Sequence, residues 1–440
     1  MADPQPARPV TAPRARALLA LLVGGLSSGG NFLLAVTVAR LESIGGVGQF
    51  ALAFSFYVLG SGLVRSMVTD MVLVAESTAA SAARRATLLG TVSGLALGTV
   101  GMAYGSPYLA VAGLALPGLV LFDYTKAIAV GIGTPTRAIG QEIAWTALTG
   151  AAALAGWLRL IDAPVVFAVW ALGGGVIGVV AAARQRYALL PGWRADRAQT
   201  RVALGFGTQF LLTTGSAQLA LTAVVAFAGT AVVGALSAGR TVLGPVNLVL
   251  AMAATLILPR LARDRAESGV ARRRSAVRLM LLVTGGVLPM AAGVALLPDT
   301  VGTALLGDNW AVARSLLPLL AVESLLAVPA AIGFAGLRIE RASRRAIVLG
   351  VVLGTLRVPV VVAGAVLLGA TGAAGALALL ALVSAVAWVG SYFLLLRKGA
   401  VDRPDRAGPG SDGRDGQPMA PSAARTRSTT VLTADSVSST

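Results

Sequence analysis

The chain has 440 residues, 56% of them hydrophobic and 12% charged, with a formal charge of +17 and neither cysteine nor histidine. No soluble domain of this length needs so much apolar surface, and a mean hydropathy of +0.80 places the chain in a membrane. Disulfides, thiolate metal sites and imidazole ligands are excluded. No metal or cofactor is therefore expected, and any proton coupling must run through carboxylates.

At roughly 20 residues per crossing, twelve apolar stretches fall near 17–39, 47–75, 87–104, 108–132, 138–159, 164–189, 202–228, 233–259, 276–297, 315–337, 346–368 and 371–396. The first follows Arg8, Arg14 and Arg16 as a secretory signal would, but its apolar run is longer than a signal core. It also has no clear small-x-small cleavage site, so it reads as an uncleaved span after a cytoplasmic segment, 1–16. Within it, Gly24 to Asn31 (GGLSSGGN) permits close helix approach and bending. The run is no phosphate loop, because no strand precedes it and no Gly-Lys-Ser/Thr follows. Tight packing against a neighbour is the favoured expectation, with a share in gating the interior.

Basic residues crowd onto alternate connections, notably Arg184 to Arg201 and Arg260 to Arg278, while Arg40, Arg159 and Arg314 lie on the other set. By the positive-inside rule both termini are cytoplasmic, in a multi-pass protein of the cell membrane. Basic residues flanking spans suit anionic lipid headgroups rather than nucleic acid. No connection is long enough for a soluble domain, and residues 397–440 are too polar to fold alone, so that cytoplasmic tail reads as disordered.

A cytoplasmic linker, 190–201, divides the spans into an N-terminal lobe, 17–189, and a C-terminal lobe, 202–396, of six each. An even number makes any repeat parallel, about an axis along the membrane normal. Residues 47–52 (VGQFAL) and 233–238 (VGALSA) form a weak self-match at an offset of 186. The predicted fold class is thus an all-α polytopic membrane protein with 12 helices in two parallel-repeat lobes, N-in and C-in.

Three stretches carry a family resemblance. Asn31 to Gly60 (NFLLAVTVARLESIGGVGQFALAFSFYVLG) has a helix, a short turn and a VGQFALA opening; Ala231 to Ala262 (AVVGALSAGRTVLGPVNLVLAMAATLILPRLA) closes on Pro-Arg-Leu; Leu305 to Leu320 (LLGDNWAVARSLLPLL) contains a Gly-acidic-x-Trp turn. In order and spacing they resemble the multidrug/oligosaccharidyl-lipid/polysaccharide (MOP) exporter superfamily, in its polysaccharide and O-antigen flippase-like branch. The resemblance spans roughly residues 15–396. It implies a MATE-like architecture with two lobes around a V-shaped cleft, and alternating-access movement of large or amphipathic substrates. In lipid-linked relatives the substrate is a glycan on a polyprenyl pyrophosphate. The two additional C-terminal helices of the lipid II flippase branch are missing, which argues against that substrate.

An ionisable group near the centre of a span costs roughly 2.5–3.5 kcal/mol on insertion scales and is a functional candidate by default. Arg357 is the deepest, Arg240 precedes Pro245, whose missing donor should bend its helix, and Arg65 lies nearer the inner half of its span. Together they suit an anionic headgroup, because guanidinium matches phosphate oxygens bidentately. The alternatives are snorkelling and pairing with carboxylates. For ion coupling or charge pairing the candidates are Glu323, Asp70, Asp123, Lys126 and Glu142. Asp123 and Lys126 share a helical face, and mutual neutralisation is favoured for them. Gln49, Gln141, Gln209, Gln218 and Asn247 serve equally as interhelical contacts or substrate contacts.

The expected function is a transporter or flippase moving a lipid-linked oligosaccharide or polysaccharide precursor across the membrane. Its partners would be the anionic lipid-linked substrate, membrane lipids and glycan-assembly proteins. An organic-cation multidrug exporter ranks lower, since aromatics are only 5% and deep charges are mostly arginine. An enzyme is disfavoured for want of histidine, cysteine or a sizeable loop. A non-transporting envelope scaffold stays open, because fold alone does not imply transport.

Overall fold

The computed structural model describes residues 13–74, 79–131, 134–193, 195–211 and 215–401. Residues 1–12 and 402–440, with most of the predicted leading segment and tail, lie outside the described residues. The described residues are mostly helical. In chain order come α1 (Pro13–Leu41), α2 (Ile44–Val64), a π-helical turn (Arg65–Thr69), α3 (Asp70–Val74), α4 (Ala79–Ala103), α5 (Pro107–Gly131), α6 (Pro135–Trp157) and α7 (Ala163–Arg184). Then follow α8 (Arg197–Phe210), α9 (Ser216–Ala228), α10 (Thr230–Val242), α11 (Gly244–Arg263), α12 (Gly269–Ala295), α13 (Asp299–Leu306), α14 (Trp310–Ile339) and α15 (Ser343–Val401).

Local chemistry sets many of these boundaries. The hydroxyl of Ser43 accepts from the Gly46 amide and starts α2. Pro135 occupies the first turn of α6, where its missing donor costs nothing. Gly229, at φ +88°, makes the turn from α9 to α10. In α15, Leu368 and Gly369 leave helical geometry, with Gly369 at φ +61°. A methyl built on Gly364 would lie 2.5 Å from the carbonyl oxygen of Gly372, so the chain doubles back there.

Among the described residues, eight helices are long and apolar enough to cross a membrane, or nine if α10 and α11, bent by 65°, count as one span. Each of the twelve predicted stretches falls mainly on helix among the described residues, but the count by length and apolarity is lower. Residues 212–214 of the 202–228 stretch lie outside the described residues, between α8 and α9, and α15 covers two predicted spans as two helices that fold back on each other at Leu368 and Gly369. Helix α6 is long enough but too polar, because Gln141 and Glu142 face protein rather than lipid; both are buried. This is a multi-pass helical membrane protein.

Connections gather at two ends. At one, Tyr108 donates to Glu42 (2.7 Å), Trp157 donates to Thr37 (3.2 Å), and Gly307 approaches the backbone of Arg40. At the other, hereafter the basic end, the Gly192 amide donates to the Arg84 carbonyl, and Arg272 pairs with Glu340.

Close packing rests on glycine where backbones touch. A methyl on Gly48 of α2 would sit 1.9 Å from the Thr230 carbonyl oxygen, and one on Gly234 of α10 would sit 1.9 Å from that of Ile44. The contact is reciprocal: each partner is the other's counterpart at the same offset of 186, as two equivalent halves related by a two-fold would make. The Val-Gly self-match thus falls on the crossing of α2 and α10.

Inside the α1–α7 half, Gly118 of α5 meets Gly175 of α7 with similar closeness, at 2.5 Å from its carbonyl oxygen. Around that crossing, Trp145, Phe167 and Trp170 form a stacked aromatic core. Gly118→Val has backbone, not a flexible side chain, in its way. It is expected to destabilise the protein by about 3 kcal/mol or more, read as a fall in thermal midpoint in detergent; a midpoint equal to wild type would refute the packing.

Candidate functional site

Pro245 lies in the first turn of α11, where it needs no donor, and the chain breaks at Leu243 instead of continuing α10. The break leaves Arg240 in the last turn of α10, at the negative end of that helix dipole. From there its Nη2 donates to both carboxylate oxygens of Glu323 on α14, at 2.9 and 3.2 Å. Neither side chain is dry: their exposures are 33% and 21%.

Two cavities explain that exposure. A central one, about 570 Å³, lies between α1 and α2 on one side and α9, α10 and α11 on the other, and Arg240 lines it. A second, about 380 Å³, lies among α9, α14 and α15, and Glu323 and Arg357 line it. The Arg240–Glu323 pair is therefore a charged partition between the two spaces. Arg357 makes no ion pair among the described residues. Two guanidinium groups and one carboxylate leave a net positive charge at the partition.

Polar side chains cross the central cavity. Ser55 of α2 donates to Gln218 of α9, joining the two halves, and Ser324 donates to Asn247. Phe32, Phe50 and Phe54 form an aromatic wall. Ser28, Gly29 and Asn31 line the same space. Here the structure corrects the packing expectation for the glycine run. A methyl on Gly24, Gly25 or Gly29 would touch nothing within 4 Å, and only Gly30 meets a neighbour, Thr146. Helix α1 nevertheless runs unbroken through the glycines.

The other candidates fall elsewhere. Lys126 lies 3.6 Å from Asp123 but only 2.9 Å from Glu142, so its closer partner is on α6 rather than on its own helix. Ser27 completes this cluster, donating to Glu142 (2.7 Å) and accepting from Lys126 (3.2 Å). Glu142 is wholly buried, and its Oε2 has no hydrogen-bond partner among the described residues. Arg65 is exposed on the π-helical turn, and half-buried Asp70 closes that turn through its amide to the Arg65 carbonyl. Neither lines the two cavities.

Two features escaped the sequence reading. Ser27 has no spacing signal, since its partners lie about a hundred residues away. Arg85 falls on a basic connection that would suit lipid headgroups, yet it is 2% exposed, with Nε and Nη1 unpartnered among the described residues.

No family model and no curated protein matches this sequence. Solved structures do. An inward-facing multidrug resistance MATE family transporter of the MOP superfamily aligns at TM-score 0.59 and 18% identity, over 87% of this chain and 96% of that one. The lipid II flippase MurJ, in an inward closed conformation, aligns at TM-score 0.65 and 11% identity, over 88% of this chain and 91% of that one. A MATE in a bent conformation aligns at 0.52 and 17%, over 88% and 97%. The fold is that of the MATE and MurJ transporters. A MOP-superfamily transporter-like fold thus covers nearly the whole described chain, and the proteins it matches are transporters and a flippase, not enzymes. Within this fold the charged partition borders the central cavity, which α1 and α2 enclose together with α9, α10 and α11.

Proposed function

We propose that this protein is a flippase for an anionic lipid-linked oligosaccharide or polysaccharide precursor, working by alternating access in the cell membrane. The observation that carries the reading is Arg357, a cavity-lining guanidinium that makes no ion pair among the described residues, beside the Arg240–Glu323 partition. A phosphate or pyrophosphate headgroup supplies the missing negative charge, and bidentate hydrogen bonding gives it a defined seat. The similarity to a lipid II flippase supports a lipid-linked cargo. Arg65, exposed on its turn, serves in this scheme to attract the headgroup rather than to seat it. The Asp123–Lys126–Glu142 cluster and Asp70 are the candidates for ion coupling or internal pairing.

We place the two lobes at 17–189 and 202–396, with the basic end, both termini and the 190–201 linker in the cytoplasm. Helix α8 starts inside that linker, capped by Asp196.

A second reading, export of organic cations, draws on the similarity to MATE transporters and on the aromatic wall of Phe32, Phe50 and Phe54. Proteoliposomes separate the two. Wild-type protein is expected to translocate a polyprenyl-pyrophosphate-linked sugar and not a fluorescent organic cation. Arg357→Gln should weaken the apparent affinity for that sugar roughly 10- to 100-fold, the loss of one charged hydrogen bond. Translocation of the cation alone would select the second reading, and translocation of neither would leave a scaffold that docks glycan-assembly proteins.

A further inference from the structure

A third cavity, about 620 Å³, opens between α6 and α7 at the basic end and shares no residue with the two cavities above. Its lining is graded along the helices. Arg137, at the start of α6, and Arg184, at the end of α7, hold the mouth; Val176, Ile177 and Val180 form the wall above them. From Arg184 to Val176 the wall rises about 12 Å at helical pitch. Val176 and Val180 are 62% and 42% exposed, so this face is turned outward rather than into the bundle. Such a sequence, cationic at the membrane surface and aliphatic above it, complements a phospholipid lengthwise.

The mouth is also short of negative charge. Neither arginine forms an ion pair among the described residues. Arg137 stands in the first turn of α6, which holds no acidic residue, so a cation sits at the positive end of a helix dipole. An anion there relieves both repulsions at once. The floor is open as well: a methyl on Gly140 would meet no atom within 4 Å.

We propose that this groove holds one anionic phospholipid of the leaflet at the basic end. Its phosphate sits between Arg137 and Arg184, and an acyl chain runs along Val176, Ile177 and Val180. The site is independent of the transport cavities and of the cargo assigned to them.

Native mass spectrometry of the purified full chain with added lipid tests this. Phosphatidylglycerol is expected to stay bound where phosphatidylcholine is stripped, and inorganic phosphate at the same concentration should not displace it. Removing both cations, Arg137→Gln with Arg184→Gln, should lower phosphatidylglycerol occupancy roughly tenfold or more. Gly140→Leu, which fills open space and leaves every charge in place, should lower it too, so the test survives if the double variant misfolds. Equal retention of the two lipids, wild-type occupancy in Gly140→Leu, or displacement by phosphate alone would overturn the proposal.

Discussion

Glu323→Gln and Arg240→Gln will move transport in opposite directions, although they break the same ion pair. Removing the carboxylate leaves Arg240 and Arg357 both free for an anionic headgroup, and the apparent affinity for a pyrophosphate-linked cargo is expected to rise about tenfold, the effect of one charged hydrogen bond gained. Removing the guanidinium instead leaves Glu323 facing Arg357 in the second cavity. The local charge then falls to zero, and transport should drop by about 100-fold, since a headgroup contact and the attraction are lost together.

Stability gives the control. Breaking a dry pair costs 3–5 kcal/mol, but these side chains are 33% and 21% exposed, so each variant should lose less than that. A bridge with a purely structural role would lower transport in both variants in proportion to lost folded protein. Transport and melting point measured on the same reconstituted samples distinguish the cases, and a shared sign would remove the partition from the mechanism.

How far the sequence revealed this depends on whether a feature is local. Helix positions follow from apolar runs ended by Pro135, Gly229 or the Gly244-Pro245 break, each acting through its own backbone. The Val-Gly self-match was legible for a related reason: only glycine lets α2 and α10 approach until a methyl would strike a carbonyl. Contacts between distant segments were not legible. Glu142 and Ser27 are 115 residues apart, and only the packing of α1 on α6 brings them together. Hydropathy reports preference for lipid, so it does not say which polar groups a helix buries in protein, as α6 buries Gln141 and Glu142, nor that Arg85 is buried. The candidate site was half legible. Arg240, Arg357 and Glu323 stood out as charges in apolar runs, but no spacing rule says which pair closes and which cation stays free.

Asn309→Ala is expected to open the end opposite the basic one. Helix α1 finishes at Leu41, and its last carbonyls have no partner within the helix. The amide of Asn309 supplies one from the other half of the chain, donating to Ala39 O at 2.7 Å and Glu42 O at 2.8 Å. Gly307, at φ +59°, turns the preceding backbone against Arg40 and aims that amide. Together with the Gly48–Gly234 crossing these bonds tie α1 and α2 to α10 and the α13–α14 turn at that end. Two neutral hydrogen bonds contribute about 1–3 kcal/mol, a five- to 150-fold bias towards the closed form. Since the protein has no cysteine, one reporter suffices without a stripped background. Ala51→Cys places a thiol on the wall of the central cavity. A membrane-impermeant maleimide applied from the side of the α1–α2 turn should label it about tenfold faster when Asn309 is alanine. Aspartate at that position sets a carboxylate against two carbonyl oxygens and should label faster still. Equal rates for all three would mean that the amide caps α1 without holding the halves together.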